Sequence, residues 1–193
     1  MKNFLAAIVL GALPLAAQPV TYVIDSAHSS AQFSIRHMMV SNTKGEFTKV
    51  EGMIVYDAKN PAASKVEAVI DVNTINTRDA KRDGHLRSPD FFDVAKYPKM
   101  TFTSKQVTKQ GSKLLVKGDL TMHGVTKPVT LTVEGPSAEV KDPWGGAKIG
   151  ASATTTVKRT DFGIVYNKTL EAGGVLVGND VAITLDIEAE RKK

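Results

Sequence analysis

VAITLDIEA, residues Val181 to Ala189, is the stretch on which the fold turns. Val181, Ile183, Leu185, Ile187 and Ala189 recur at every second position, while Thr184, Asp186 and Glu188 stand between them. A period of two is the repeat of an extended strand with one buried face. The same pattern returns upstream. VEAVIDV places Val66, Ala68, Ile70 and Val72 on one face, and VTLTVE does so with Val129, Leu131 and Val133. KLLVKGDL aligns Leu114, Val116 and Leu120 against Lys117 and Asp119. Further strands are expected near 21–24, 29–39, 46–57, 99–108 and 147–158. Asn60-Pro61, Gln110-Gly111, Gly135-Pro136, Asp142-Pro143 and Gly145-Gly146 are turn signals between them.

Eight or nine strands with hairpin-length links, and no alternation with helices, predict an antiparallel sheet. The chain therefore reads as all-β. A single extended antiparallel barrel of about eight strands buries the apolar face and removes exposed edges. A two-sheet sandwich is the alternative. An outer-membrane barrel fits less well: the apolar stripes run only four or five positions, aromatic girdles are missing, and the chain ends in ERKK.

Residues 1–17 read as a secretory signal peptide. Lys2 is followed by FLAAIVLGALPL, and Ala16 and Ala17 offer a small-residue cleavage site. An uncleaved anchor is the alternative, though the run is short for a bilayer. Residues 18–193 then form one exported domain. The chain has no cysteine, so strand pairing and core must hold it together without disulfides. The formal charge of +5 is interspersed rather than blocked, which suits anionic ligands or transient contact with an anionic membrane surface. Scattered bases and 6% aromatic residues exclude a nucleic-acid platform.

One segment breaks the strand pattern: RDAKRDGHLRSPDFFD, Arg78 to Asp93. It predicts a short helix over 78–88, capped by Thr77, with Asp79 near its N-terminus and Ser88-Pro89 at its end. Nucleophile elbows, phosphate loops, dinucleotide-binding glycines and zinc-protease motifs are all missing. His28, His37, His85 and His123 are not spaced as a chelating pair, so neither metal nor cofactor is expected. In FSIRHMM, His37 shares the inward face with Phe33 and Ile35; it is either a satisfied core histidine or a polar group inside a cavity. Small inward residues such as Ala68, Ala151 and Ala153 either match barrel taper or leave room.

IDSAHSSAQFSIRH, KGEF, RDGHLRSPDFFD, GDLTMHGVTKPV, RTDFG and VGNDVAITLDIEAE occur in this order from Tyr22 to Glu190. Together they resemble the YceI-like family of exported lipid-binding proteins. The resemblance implies a lipocalin-like barrel whose cavity holds a polyisoprenoid, or its quinone or pyrophosphate derivative, or a similar amphiphilic fatty-acid derivative. It implies a periplasmic setting, allows a homodimer, and brings no catalytic residues. On that frame Phe33, Ile35 and His37 of one strand line the cavity. Val55, Ile70, Phe102, Val116, Leu131 and Ile183 do so on the others. Residues 78–93 become a lid in which Arg78, Arg82, His85 and Arg87 face a head group and Phe91 and Phe92 are the anchors. The competing reading pairs Arg82 or Arg87 internally with Asp79, Asp83 or Asp90. Three functions follow: a carrier without turnover, an enzyme using His37, His85 and nearby acids on a lipid-like substrate, or a barrel filled by its own side chains.

Overall fold

The computed structural model describes residues 18–171 and 173–193. The expected signal peptide, 1–17, lies outside the described residues. Twelve strands are present among them: β1 (Val20–Ile24), β2 (Ser30–His37), β3 (Ser41–Phe47), β4 (Val50–Tyr56), β5 (Lys65–Asp71), β6 (Ile75–Asn76), β7 (Lys99–Gln110), β8 (Lys113–Met122), β9 (Val125–Glu134), β10 (Val140–Lys141), β11 (Ala147–Lys158) and β12 (Val177–Arg191). One helix, α1, spans Ala80–Arg87.

Every strand pairing is antiparallel, and eight strands close into a ring. β12 joins β1, which leads through β4, β5, β7, β8, β9 and β11 back to β12. The closing seam is long: Lys148 to Lys158 pair continuously with Glu190 to Asp180. The all-β class, the closed antiparallel barrel of eight strands and the single short helix agree with the sequence.

β12 is also where the ring branches. Its last residues pair with β1, whereas Val177 to Asp186 pair with β2. β2 carries β3, and β3 carries the short β6. The barrel is thereby extended beyond the ring at the end nearer Val177. The main core lies at this end and includes Phe47, Val72, Ile75, Phe91, Met100 and Phe162. A smaller cluster of Tyr22, Ile149 and Ala189 seals the wall at the other end.

Two expectations about local structure change. The strand expected over 46–57 is really two, β3 and β4, separated by Thr48 and Lys49. The helix is capped by Asp79 rather than Thr77: the Asp79 carboxylate accepts from the Arg82 N–H at 3.0 Å. Thr77 is buried instead and donates both its N–H and its hydroxyl to Asp83. Ser88 ends the helix, as the following proline requires.

At the far end a polar tie joins three elements. The Lys148 ammonium donates to Asp25 at 3.0 Å and to Glu188 at 2.6 Å. The hydrogen bond from His28, then that from Lys148, holds the Asp25 carboxyl well below its usual 3.8, down to about 2. A depressed carboxylate pKa stabilises the fold fully above 3.8, and that contribution is lost as pH falls toward about 2. The melting temperature should therefore drop across this acid window. Asp25→Asn should lose about 1 kcal/mol or less at neutral pH, the scale of a partly exposed ion pair, and should show a shallower acid dependence. Identical acid profiles for both proteins, followed by thermal melts, would place the sensitivity elsewhere.

Candidate functional site

The inward faces of the strands do not meet. They enclose an elongated cavity of about 400 Å³. Its wall runs along β12 from Val177 to Ile187, a length of roughly 30 Å at about 3.3 Å per residue. Between these limits the wall is almost entirely apolar. Ala68, Ala151 and Ala153 contribute to it, so the small inward residues leave room rather than merely fit a taper.

Two of the large rings are held against the wall by glycines. The Phe33 ring lies over its cross-strand partner Gly45, where an added Cβ would sit 2.5 Å from the ring. Phe102 covers Gly118 in the same way, at 2.6 Å. Each glycine provides the space a flat ring needs to lie along the sheet instead of projecting across the hollow.

Phe33, Ile35 and His37 on β2 all line the cavity, as do Ile70, Phe102, Val116, Leu131 and Ile183. Val55 does not. Its cross-strand neighbours are Lys65 and Thr21, and the wall position belongs to Ile54, opposite Val66. The run Met53-Ile54-Val55-Tyr56 is apolar at consecutive positions, so alternation alone left the register one residue out. His37 is half-buried on the wall, and its ring has no hydrogen-bond partner among the described residues.

α1 and the turn that follows it cover the end nearer Val177. His85 meets both Phe91 and Tyr166 edge-on, with ring centroids 5.0 Å apart in each pair. Phe92 packs edge-on against Phe47 at 5.7 Å. Phe91 and Phe92 both line the cavity because they lie in a turn rather than a strand, so adjacent side chains need not diverge. The His85 Nε2 stands 2.9 Å from Asp90, linking helix to turn.

The arginines divide. Arg82 lines the cavity and donates to the Thr77 hydroxyl at 2.8 Å and the Thr77 carbonyl at 2.7 Å. Arg87 instead grips the carbonyls of Asn73 and Ile75, and Arg78 is exposed; neither reaches the wall. The internal pairing of Arg82 or Arg87 with Asp79, Asp83 or Asp90 is also corrected, because their partners are Thr77, Asn73 and Ile75. Two further guanidinium groups line the same end: Arg36, which is exposed, and Arg159, which is buried. Arg159 donates to the carbonyls of Gly178 and Ile164, both at 2.8 Å, and weakly to Val177. Burial pushes its pKa down from the usual guanidinium range, yet it remains charged at neutral pH. With carbonyls as its hydrogen-bond partners, it leaves net positive charge in the cavity wall. Its position was readable: Arg159 continues the inward series Ala153, Thr155, Val157 of β11.

The tightest group of metal-type ligands among the described residues is Asp25, His28 and Glu188. Lys148 already occupies the place a cation would take between the two acids.

The YceI-like domain model matches residues 22–189. A UPF0312 protein of Vibrio cholerae serotype O1 is 44% identical over 170 residues, covering 85% of this chain and 89% of that protein. The crystal structure of BcnA from Burkholderia cenocepacia superposes with a TM-score of 0.73 at 24% identity, covering 86% of this chain and 98% of BcnA. A polyisoprenoid binding domain from Saccharophagus degradans does so with a TM-score of 0.65 at 19% identity, over 90% and 99% of the two chains.

The lid depends on Asp83. Asp83→Ala leaves the buried Thr77 N–H and hydroxyl without their acceptor, which should cost about 1–3 kcal/mol. Denaturant unfolding should show the loss, and hydrogen exchange should rise first at the amides of 80–87. Unchanged exchange in the helix would mean that Asp83 does not hold it. From barrel, lid and sequence match together, the chain belongs to the YceI-like domain family.

Proposed function

We infer that this protein is a non-catalytic carrier that holds a long-chain amphiphilic lipid, of polyisoprenoid type, inside the barrel. One observation carries the reading: a closed wall of strands surrounds an apolar hollow much longer than it is wide. Its volume of about 400 Å³ lies within the roughly 300–1,000 Å³ usual for small-ligand sites. Each methylene moved from water into such a site stabilises binding by about 0.8 kcal/mol. Three or four isoprene units then supply enough, after the costs of association and ordering, for about micromolar affinity. The chain needs no specific chemistry along its length, which agrees with an apolar wall.

Polar recognition is confined to one end. Arg82 and Arg159 place guanidinium groups beside the lid, and a guanidinium is suited to phosphate, pyrophosphate or carbonyl oxygens. The arrangement therefore favours a lipid that enters with its apolar tail toward Ile187 and its head toward α1. Support also comes from the polyisoprenoid binding described for the Saccharophagus degradans domain of the same fold. The opening segment, with Lys2 and its apolar run, supports export to the periplasm, where a lipid must cross water to move between membranes. The His85 ring pairs with Asp90, and the neighbouring Ser88 hydroxyl donates to the His85 backbone carbonyl rather than to the ring, so storage or transfer without turnover is the simpler reading.

The test is occlusion of the hollow. Ile70→Trp and Val116→Trp each direct an indole into the cavity, and each should abolish binding of a fluorescent polyprenyl phosphate while thermal melts remain cooperative. Arg159→Gln is expected to weaken that ligand more than the corresponding uncharged polyprenol. Full affinity in both tryptophan variants would place the lipid elsewhere.

A further inference from the structure

The hairpin between β2 and β3 turns on Met38 and Met39. Both have positive φ, 49° and 61°, and the Val40 N–H closes the turn on the His37 carbonyl at 3.1 Å. Two successive left-handed residues are the signature of a type I′ turn, which favours Asn-Gly because a side chain resists that conformation. The β8–β9 turn shows the usual solution, with Gly124 as the second of its two positive-φ residues. The β2–β3 turn places two large apolar side chains in the unfavourable conformation and then leaves them in water. Met38 is 44% exposed, Met39 52% and Val40 76%. Neither local folding preference nor core packing accounts for this choice.

The tip is not an isolated flap. The Met38 N–H donates to the Leu176 carbonyl at 2.8 Å, and Arg36 donates to the Met39 carbonyl at 2.7 Å. Met39 packs over the backbone of Gly174. The segment it rests on brings a further exposed apolar group, Val175, between Gly174 and Leu176. The patch borders the cavity: Arg36 and His37 precede the tip, Leu176 and Val177 lie beneath it, and all four line the hollow. From residue 33 to 45 the hairpin carries Arg36 and Lys44 and no acid. Lys168 adds a cation on the neighbouring segment, with Glu171 the one acid there.

We propose that the Met38-Met39-Val40 tip, together with Val175, is a membrane-docking face that sets the α1 end of the cavity against an anionic bilayer. Apolar side chains enter the headgroup boundary while Arg36, Lys44 and Lys168 meet lipid phosphates, the pairing of apolar tip and basic flank used by interfacial anchors. Methionine suits such a surface because its unbranched thioether adapts to an irregular medium. The inference rests on the carrier reading for its purpose, but docking is measured without the carried lipid.

Vesicles of phosphatidylethanolamine and phosphatidylglycerol, containing no isoprenoid, are sedimented with the mature protein. Association is expected, weakened by salt and by replacing phosphatidylglycerol with phosphatidylcholine. Met38→Asn with Met39→Gly installs the residues the turn prefers, so the fold should be retained while partitioning falls by about tenfold. Val40→Ser with Val175→Ser should reduce partitioning while leaving the two positive-φ residues of the turn in place. Ile70→Trp, with the cavity blocked, should still dock, which separates this proposal from the carrier reading. Trp144, 88% exposed on the turn between β10 and β11, is the rival anchor, and Trp144→Ser should change nothing. Failure of the unsubstituted protein to associate would overturn the proposal. So would loss of association in Trp144→Ser, or sedimentation showing that the tip variants abolish a dimer rather than vesicle binding.

Discussion

Closure of the ring by β11 and β12 is the constraint on which the rest depends. The seam pairs Lys148 through Lys158 with Glu190 through Asp180 without a break. Inward side chains on these strands have no opposing layer of their own; they face the far wall of the same sheet. Hydrogen-bonded strands cannot collapse inward without losing backbone pairs, so the wall keeps its circumference even where the filling is thin. An eight-stranded barrel is wide enough for its side chains or for one slender ligand. Here Ala68, Ala151 and Ala153 shift that balance toward a hollow.

The hollow is asymmetric, and the asymmetry follows from the branching of β12. At the end where β12 pairs with β1, the wall consists of residues such as Val66, Val133 and Ile187, and Lys148 ties the rim through Asp25 and Glu188. At the other end β2 replaces β1, the wall extends through β3 and β6, and a helix is needed to cover it. Among the residues that line the cavity, the guanidinium groups Arg36, Arg82 and Arg159 stand at this end. Arg159 is held by backbone carbonyls and Arg82 by Thr77. An apolar stretch and an end lined by guanidinium groups thus arise from strand order.

Strands with one strictly apolar face could be read directly. VTLTVE in β9 and ITLDIE in β12 alternate cleanly, VEAVID in β5 does so but for Val69, and Ile70, Leu131 and Ile183 fell on the cavity side as alternation required. β3 could not be read, because SNTKGEF has one large apolar residue and its strand is specified by pairing with β2. Val55 was misplaced where four consecutive apolar residues erased the period. The lid was visible as a break in pattern, but its bonds were not. Asp79 and Thr77 are both good caps by composition, and only the burial of Asp83 beneath Thr77 decides between them. Arg78 and Arg87 differ from Arg82 by the direction of a helix face and a turn, information that a charge count lacks.

The central claim is a hollow occupied by an oily chain. Native mass spectrometry of the protein taken from its own cellular compartment, without detergent, measures this most directly. The account predicts a retained mass that dissociates on activation and extracts into organic solvent as a long-chain amphiphile. A protein that arrives at its bare polypeptide mass, and that takes up no such lipid when it is offered, would contradict it.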